Sequence, residues 1–181
     1  KHLLEAGGKR ILLDCGLFQG VKNLRELNWT RLPVDAATID AVIVSHAHLD
    51  HTGYLPRLVR DGFRGPIVST AASASVAEII LRDSAYLQER DAAFLNKRKA
   101  TKHSPALPLY DSEDAERTLE LFTTRPFGTE FTLPGGGPAV TFRRAGHILG
   151  AATVDLVWHG RRIVFSGDLG RYDDPVTLDP E

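Results

Sequence analysis

The sequence of 181 residues contains one cysteine and no methionine. A single cysteine excludes an internal disulfide, so the composition carries no sign of an oxidising compartment. No apolar run approaches the roughly 18 residues of a membrane span, and no basic, then apolar leader opens the chain. We therefore expect a cytoplasmic protein that does not enter a membrane.

An excess of charge is also lacking, because 22 basic and 23 acidic side chains leave a formal net charge of −1. Proteins that bind a polyanion nonspecifically usually carry a basic face, and the overall balance argues against one. Two local exceptions, residues 96–103 and Arg143-Arg144, could guide a phosphate backbone. The alternative interpretation is a solvated helix end and an exposed strand.

The hydrophobic pattern predicts one mixed domain of strands and helices, because 181 residues with 43% hydrophobic content can bury a sizeable core. Runs rich in β-branched and aromatic residues predict strands, and helical spacing with capping residues predicts helices. The predicted strands are Lys9–Asp14, Ala41–Ser45, Pro66–Ser69, Ala139–Arg144, Ala151–Trp158 and Arg161–Ser166. The predicted helices are Thr52–Asp61, Ala71 to about Asn96, and Ser112–Phe122.

The long middle helix has apolar residues near helical spacing, which predicts that this face packs into the core. These residues are Val76, Ile79, Ile80, Leu87 and Phe94.

The segment Ser45-His46-Ala47-His48-Leu49-Asp50-His51 holds three imidazoles and a carboxylate directly after the apolar run 41–44. Side chains two apart in an extended chain face the same way, so His46 and His48 share one direction. Asp50 and His51 then point elsewhere. Two ligand pairs with different directions favour two metal ions, and imidazole with carboxylate favours zinc or a similar ion.

Three further residues follow apolar runs in the same manner. His147 and Asp168 are each preceded by a glycine, which lets the backbone turn tightly and bring the side chain towards another loop. Asp14 ends the first predicted strand, where its carboxylate could bind a metal or hold a ligand histidine by its second nitrogen. Each signal is weak alone and gains its value from the cluster at 46–51.

Four segments together resemble the successive motifs of the metallo-β-lactamase superfamily. They are Leu13-Asp14-Cys15-Gly16, His46-Ala47-His48-Leu49-Asp50-His51, Gly146-His147 and Ser166-Gly167-Asp168. The flanking segments resemble the β-CASP RNA nucleases, which include the endonuclease of messenger-RNA 3′-end cleavage and its bacterial and archaeal relatives. Those segments are Leu17-Phe18-Gln19-Gly20, His147-Ile148-Leu149-Gly150-Ala151 and Phe165-Ser166-Gly167-Asp168-Leu169-Gly170-Arg171.

The resemblance implies an α/β protein with a four-layer αββα sandwich and metals at one sheet edge. It implies that His46, His48 and His147 bind one zinc ion, that Asp50 and His51 bind a second, and that Asp168 bridges both. Asp14 would orient the ligand histidines, so Asp14 and Asp50 are the predicted catalytic carboxylates.

The resemblance also implies hydrolysis of RNA by a metal-bound hydroxide, because two ions about 3.5–4 Å apart can share a hydroxide and neutralise a phosphoryl oxygen. Manganese or iron are alternatives to zinc. No nucleophilic side chain is needed, so we expect Cys15 to be a small buried residue.

Parts of the β-CASP pattern are missing. That family takes a further metal-binding histidine, and a histidine that protonates the leaving group, from beyond its cap domain. We therefore expect residues 1–181 to be most of one metallo-β-lactamase domain, incomplete at both ends and without the β-CASP cap and the C-terminal part.

Two other functions stay open at this point. One is a related hydrolase that cleaves a thioester, a lactone or a small phosphodiester at the same centre. The other is a noncatalytic assembly partner, whose signature would be lost ligands. The sequence leaves open internal or terminal cleavage, RNA or DNA, and the oligomeric state. We expect structural or solvent roles for His2, His103 and His159.

Overall fold

The computed structural model describes residues 1–101 and 103–181, so Lys102 of the basic segment 96–103 lies outside the described residues. All six predicted strands are present, with ends that differ by up to two residues from the prediction. Three strands, β1, β5 and β6, were missed. The strands are β1 (His2–Ala6), β2 (Lys9–Leu13), β3 (Ala41–Ile43), β4 (Ile67–Ser69), β5 (Phe122–Thr124), β6 (Phe131–Thr132), β7 (Ala139–Arg144), β8 (Ala152–Trp158) and β9 (Arg161–Phe165).

The predicted helix Thr52–Asp61 is wrong in its bounds, because a turn at Gly53 and Tyr54 separates two helices and the first begins earlier. The last helix is capped by Asp111, whose side chain accepts from the backbone of Asp114 in a reciprocal capping box. The α-helices are α1 (Lys22–Glu26), α2 (Leu49–Thr52), α3 (Leu55–Arg60), α4 (Ala71–Arg98) and α5 (Ser112–Leu119), with short 3₁₀ helices at Leu27–Trp29 and Ala36–Thr38.

The strands form two sheets. The first has the order β1-β2-β3-β4-β5, in which β1 pairs antiparallel with β2 and the others run parallel. The second, β6-β7-β8-β9, is antiparallel throughout. Because β2 and β3 are parallel, their carboxyl ends lie at the same sheet edge, which brings the segments after Leu13 and Ile43 together.

Alternate residues of the first sheet pack on opposite faces, as the period of a strand requires. Leu12, Val42 and Val44 pack with α3 and with alanines of α4 and α5. Their neighbours Ile11 and Ile43 pack instead with the second sheet. Helices, first sheet and second sheet therefore form three layers of the predicted four-layer αββα sandwich, which confirms the mixed α/β fold. Among the described residues no helical layer covers the outer face of the second sheet.

The predicted buried face of α4 is wrong. Ile79, Leu87 and Phe94 are 70%, 53% and 55% exposed, and the helix instead buries a row of mostly small side chains. Small residues let the helix approach its neighbours closely. The spacing of the large apolar residues alone therefore predicted the wrong buried face. The buried residues are Ser73, Ala77, Leu81, Ala85 and Ala92. Among the described residues no helix combines the length and the apolar character needed to cross a membrane.

Candidate metal centre

The first group of candidate ligands converges on one point. His46 Nε2 lies 3.0 Å from His48 Nδ1, which lies 3.2 Å from His147 Nε2. Asp168 Oδ2 lies 3.9 Å from His46 Nε2 and 3.7 Å from His147 Nε2. Ligand atoms around a tetrahedral zinc with bonds of about 2.0–2.1 Å are roughly 3.4 Å apart, so these four residues fit such an ion. We call them the buried ligand set.

A second group shares Asp168 but faces its other oxygen. His51 Nε2 lies 3.4 Å from Asp168 Oδ1 and 3.8 Å from Asp50 Oδ2. The Asp50 side chain is 50% exposed, whereas that of His51 is 15% exposed. We call His51, Asp50 and Asp168 the open ligand set, because fewer donors converge there and solvent reaches them.

Asp14 supports both sets from beneath. Its buried carboxylate accepts from the Ser45 backbone N–H at 2.7 Å through Oδ1 and from His51 Nδ1 at 2.6 Å through Oδ2. The backbone of Asp14 is left-handed, with φ of 54°, a conformation that aspartate tolerates better than most residues. The turn directs the Asp14 carboxylate back to the end of β3. Because this carboxylate holds His51 by Nδ1, the other ring nitrogen, Nε2, faces Asp168.

Burial and the neighbouring charges shift the two deepest histidines in opposite directions. Burial, followed by the charges of His51, His48 and His147, lowers the pKa of His46 to about 3. Its imidazole is neutral at pH 7, which is the form that binds a metal. Burial opposes charge on His51, but the hydrogen bond to Asp14 and the nearby carboxylates outweigh it and raise the pKa of His51.

Backbone contacts fix helix α2, which carries Asp50 and His51. The Cys15 N–H donates to His51 O at 2.7 Å and the Leu17 N–H donates to Leu49 O at 2.8 Å. Gly16 lies between these bonds, and a Cβ there would come within 1.5 Å of the Asp50 carbonyl oxygen. Only glycine allows this approach, so the first motif positions the second through its backbone.

A family model described as the beta-lactamase superfamily domain matches residues 9–179, almost the whole chain. Together with the candidate metal-binding histidines and aspartates of its motifs, the match decides the assignment. The chain belongs to the metallo-β-lactamase superfamily.

Curated relatives of this superfamily domain include a ribonuclease, a cleavage and polyadenylation factor and a transcription termination factor. Ribonuclease TTHA0252 of Thermus thermophilus is 38% identical over 99% of the chain, which spans 37% of that protein. Cleavage and polyadenylation specificity factor 73 of Drosophila melanogaster is 33% identical over 95% of the chain and 23% of its own length. Transcription termination factor FttA of Cenarchaeum symbiosum is 31% identical over 92% of the chain and 24% of its own length. The domain thus spans well under half of each relative, and the predicted resemblance to RNA nucleases is confirmed.

Solved structures support the fold alone. A Cronobacter sakazakii metallo-β-lactamase motif mutant aligns with a TM-score of 0.53 and 21% identity, over 96% of this chain and 58% of that one. The native FEZ-1 metallo-β-lactamase of Legionella gormanii aligns with a TM-score of 0.51 and 18% identity, over 93% of this chain and 57% of that one. The metallo-β-lactamase fold predicted from the motifs is confirmed.

A groove leads away from the ligands of this metallo-β-lactamase domain. It has a volume of about 460 Å³ and runs from His48 and Asp50 along α4 past Leu87 to Asp91. A second recess of about 470 Å³ shares Leu49, Gln88 and Gln19 with it and extends to Phe18 and Trp29. The combined surface offers apolar and aromatic faces with a few amides and carboxylates.

The other residues singled out in the sequence contribute no donor atom to either ligand set. Arg143 and Arg144 lie beside carboxylates, those of Asp155 and Glu181, and the described residues of the basic segment 96–103 are mostly exposed. Cys15 is buried as expected, and burial raises the pKa of its thiol to about 12. The sequence reasoning missed Ser45, although its position between a strand and the first histidine was a usable signal.

Proposed function

We propose that this domain is the catalytic part of a metal-dependent ribonuclease that hydrolyses RNA phosphodiester bonds with two zinc ions. Manganese and iron are the alternative metals. His46, His48 and His147 would hold one ion and Asp50 with His51 the other, with Asp168 between them. The names of the curated relatives support RNA as the substrate.

The arrangement of the Asp168 carboxylate carries this proposal. Its Oδ2 faces His46 and His147 of the buried set, and its Oδ1 faces His51 of the open set. A carboxylate with one oxygen towards each donor group is suited to hold two cations at a short separation. The six proposed ligands lie together at one end of the two sheets, where a noncatalytic relative would be expected to lack some of them.

When bound, two such ions would activate a water molecule for attack on phosphorus and neutralise the charge on the phosphoryl oxygens. The chain's own residues supply the support. Asp14 holds His51 by its Nδ1, so that Nε2 stays directed at the open set. The neutral His46 keeps a lone pair available at pH 7. Asp50 lies at the solvent-facing side, where the scissile phosphate would approach.

The groove beside Asp50 suits a single-stranded substrate. Leu87 and Trp29 offer apolar and aromatic surfaces against which nucleobases can pack, and Gln19 offers an amide for hydrogen bonding. The carboxylate of Asp91 in the same wall would repel a phosphate backbone. We therefore propose that bases lie along the groove while the phosphate at its end meets the metals. The single, buried thiol of Cys15 fits a cytoplasmic location, which we propose as well.

The proposal is tested with protein stripped by chelator and reloaded with zinc, manganese or iron. We expect about two ions per chain by elemental mass spectrometry and metal-dependent cleavage of a single-stranded RNA labelled at either end. The sizes of the labelled products separate internal from terminal cleavage.

Two comparisons make the result decisive. A DNA strand of the same sequence and a thioester substrate measure selectivity, and the Asp168→Ala variant measures the dependence on the centre. A folded, metal-loaded domain that cleaves the thioester but leaves RNA intact would contradict the proposed substrate. A domain that binds none of the three metals would contradict the proposed metal centre itself.

A further inference from the structure

Ser45 occupies the position at which the two ligand sets meet beneath the surface. It directly precedes His46 after strand β3 and is 1% exposed. Its hydroxyl oxygen lies 2.7 Å from Asp14 Oδ2, 3.1 Å from His46 Nδ1 and 3.4 Å from His51 Nδ1. One hydroxyl therefore contacts the supporting carboxylate and is within reach of one histidine of each set.

The available protons dictate how this cluster is connected. An ionised carboxylate only accepts hydrogen bonds, so Asp14 Oδ2 must receive a proton from both of its close neighbours, His51 Nδ1 and Ser45 Oγ. A serine hydroxyl has one proton, and donating it to Asp14 leaves its lone pairs to accept. His46 Nδ1 is therefore the donor in its contact with Ser45 Oγ.

We propose that Ser45 is a positioning residue that fixes the Nδ1–H tautomer of His46 and so keeps Nε2 free to bind a metal. This inference rests on the proposed function, because it concerns the same metal centre. Asp14 fixes His51 in the same tautomer directly, whereas it acts on His46 only through the Ser45 hydroxyl. Ser45 thereby links the support of the buried set to that of the open set.

The packing around Ser45 holds its hydroxyl in place. A Cβ on Gly167 would come within 2.7 Å of both Cβ and Oγ of Ser45, so the loop that carries Asp168 lies directly against this side chain. The Ser45 carbonyl accepts from the Ala152 N–H at 2.9 Å, which joins strand β8 to the same residue. Position 167 therefore has no room for a side chain larger than that of glycine beside the Ser45 hydroxyl.

The proposal predicts an unequal effect on the two ligand sets. Without the hydroxyl, His46 loses its Nδ1 acceptor and is free to place its proton on Nε2, where it blocks metal binding. We expect Ser45→Ala to weaken binding at the buried set about 10–100-fold, the usual effect of losing a residue that orients a metal ligand. The open set should weaken less, because Asp14 keeps its bond to His51.

The test compares Ser45→Ala and Ser45→Thr with Ser69→Ala. Ser69 is a matched control, because it is also buried at the end of a parallel strand but donates only to the Thr70 carbonyl among the described residues. Zinc affinity is measured by competition with a chromophoric chelator. The tautomer of His46 is read in the metal-free protein from ¹⁵N chemical shifts of its imidazole, so neither measurement depends on RNA cleavage.

We expect Ser45→Ala to lose affinity at the tighter site and to shift His46 towards the Nε2–H tautomer, with Ser45→Thr and Ser69→Ala close to the wild type. An unchanged tautomer in Ser45→Ala would overturn the proposal, whether or not the threonine variant folds. Equal losses of affinity in Ser45→Ala and Ser69→Ala would also overturn it, because they would indicate general packing. Wild-type protein that binds zinc but spares RNA would contradict the proposed function and leave this inference standing.

Discussion

The two ligand sets of the candidate centre differ in how much of their geometry the fold provides. The buried set draws on His46, which is fully buried, and on His48 and His147 from two loops that already lie within hydrogen-bonding distance of one another. The open set has one well-supported member, His51, and a half-exposed Asp50. Preorganisation is therefore concentrated on one side of Asp168.

The difference indicates an order of binding. Converging ligands held by packing lose little conformational entropy when an ion arrives, whereas an exposed carboxylate must first be ordered. We expect the buried set to bind its ion more tightly. The looser side is the one that faces solvent and the groove, where the phosphate of the proposed RNA substrate would approach.

The largest effect is expected for Asp168→Ala, because Asp168 is shared by both ligand sets. The variant should disturb both ions and lower RNA cleavage by about 10³-fold, which corresponds to the several kcal/mol that metal ions contribute to such reactions. Metal content by elemental mass spectrometry and initial rates measure the two effects. The exposed Glu130→Ala serves as a control for loss of a carboxylate elsewhere. Loss of a single ion in the Asp168 variant would contradict the bridging position.

The next largest effect separates the two sets from each other. We expect His48→Ala to abolish the tighter ion, whereas Asp50→Ala should weaken only the looser one and leave the tighter affinity unchanged. Isothermal titration of the metal-free variants with zinc gives both affinities. If Asp50→Ala weakened the tighter site as much as His48→Ala does, the division into a buried and an open set would be wrong.

A smaller effect follows from the lowered pKa of His46. Its value falls from the ordinary 6.5 to about 3, so the unfolded chain binds a proton at His46 between these values while the folded chain does not. The metal-free protein should therefore lose stability as the pH falls from 6.5 to about 5, by about 2 kcal/mol. His51 does not cancel this change. Its pKa is raised in the folded protein, so its protonation stabilises the fold, and that stabilisation is already complete once the pH is below 6.5.

Urea unfolding of the chelator-treated protein between pH 6.5 and 5 measures this dependence. His46→Gln should flatten it, and the exposed His103→Gln should retain it. An equally steep dependence in His46→Gln would assign the protonation to another group.

Helix α4 shows where prediction from the sequence failed and why. The helix itself was predicted within two residues at its end, because its composition and its apolar spacing are local signals. Its buried side was predicted from large apolar residues, yet Ala77 and Ala85 pack inside while Leu87 lies exposed beside the groove. Which side of a helix is buried depends on how closely its neighbours approach, and spacing does not contain that information.

The short strands β5 and β6 were missed for a related reason. Strand β5 follows α5 after two residues and is stabilised by parallel pairing with β4, a contact across more than 50 residues. The β6 strand has two residues and exists through its pairing with β7. Their own sequences are too short to carry a periodic signal, so long-range pairing decides them.

The sequence by itself determined the family, the six principal strands and the identity of the candidate ligands, because each depends on residue types at fixed local spacing. Only the tertiary structure decided that Asp168 lies between two unequal ligand sets and that Ser45 connects Asp14 to His46. These relations join residues more than 30 or 100 positions apart, and their geometry follows from how the parallel ends of β2 and β3 meet the loops of the second sheet.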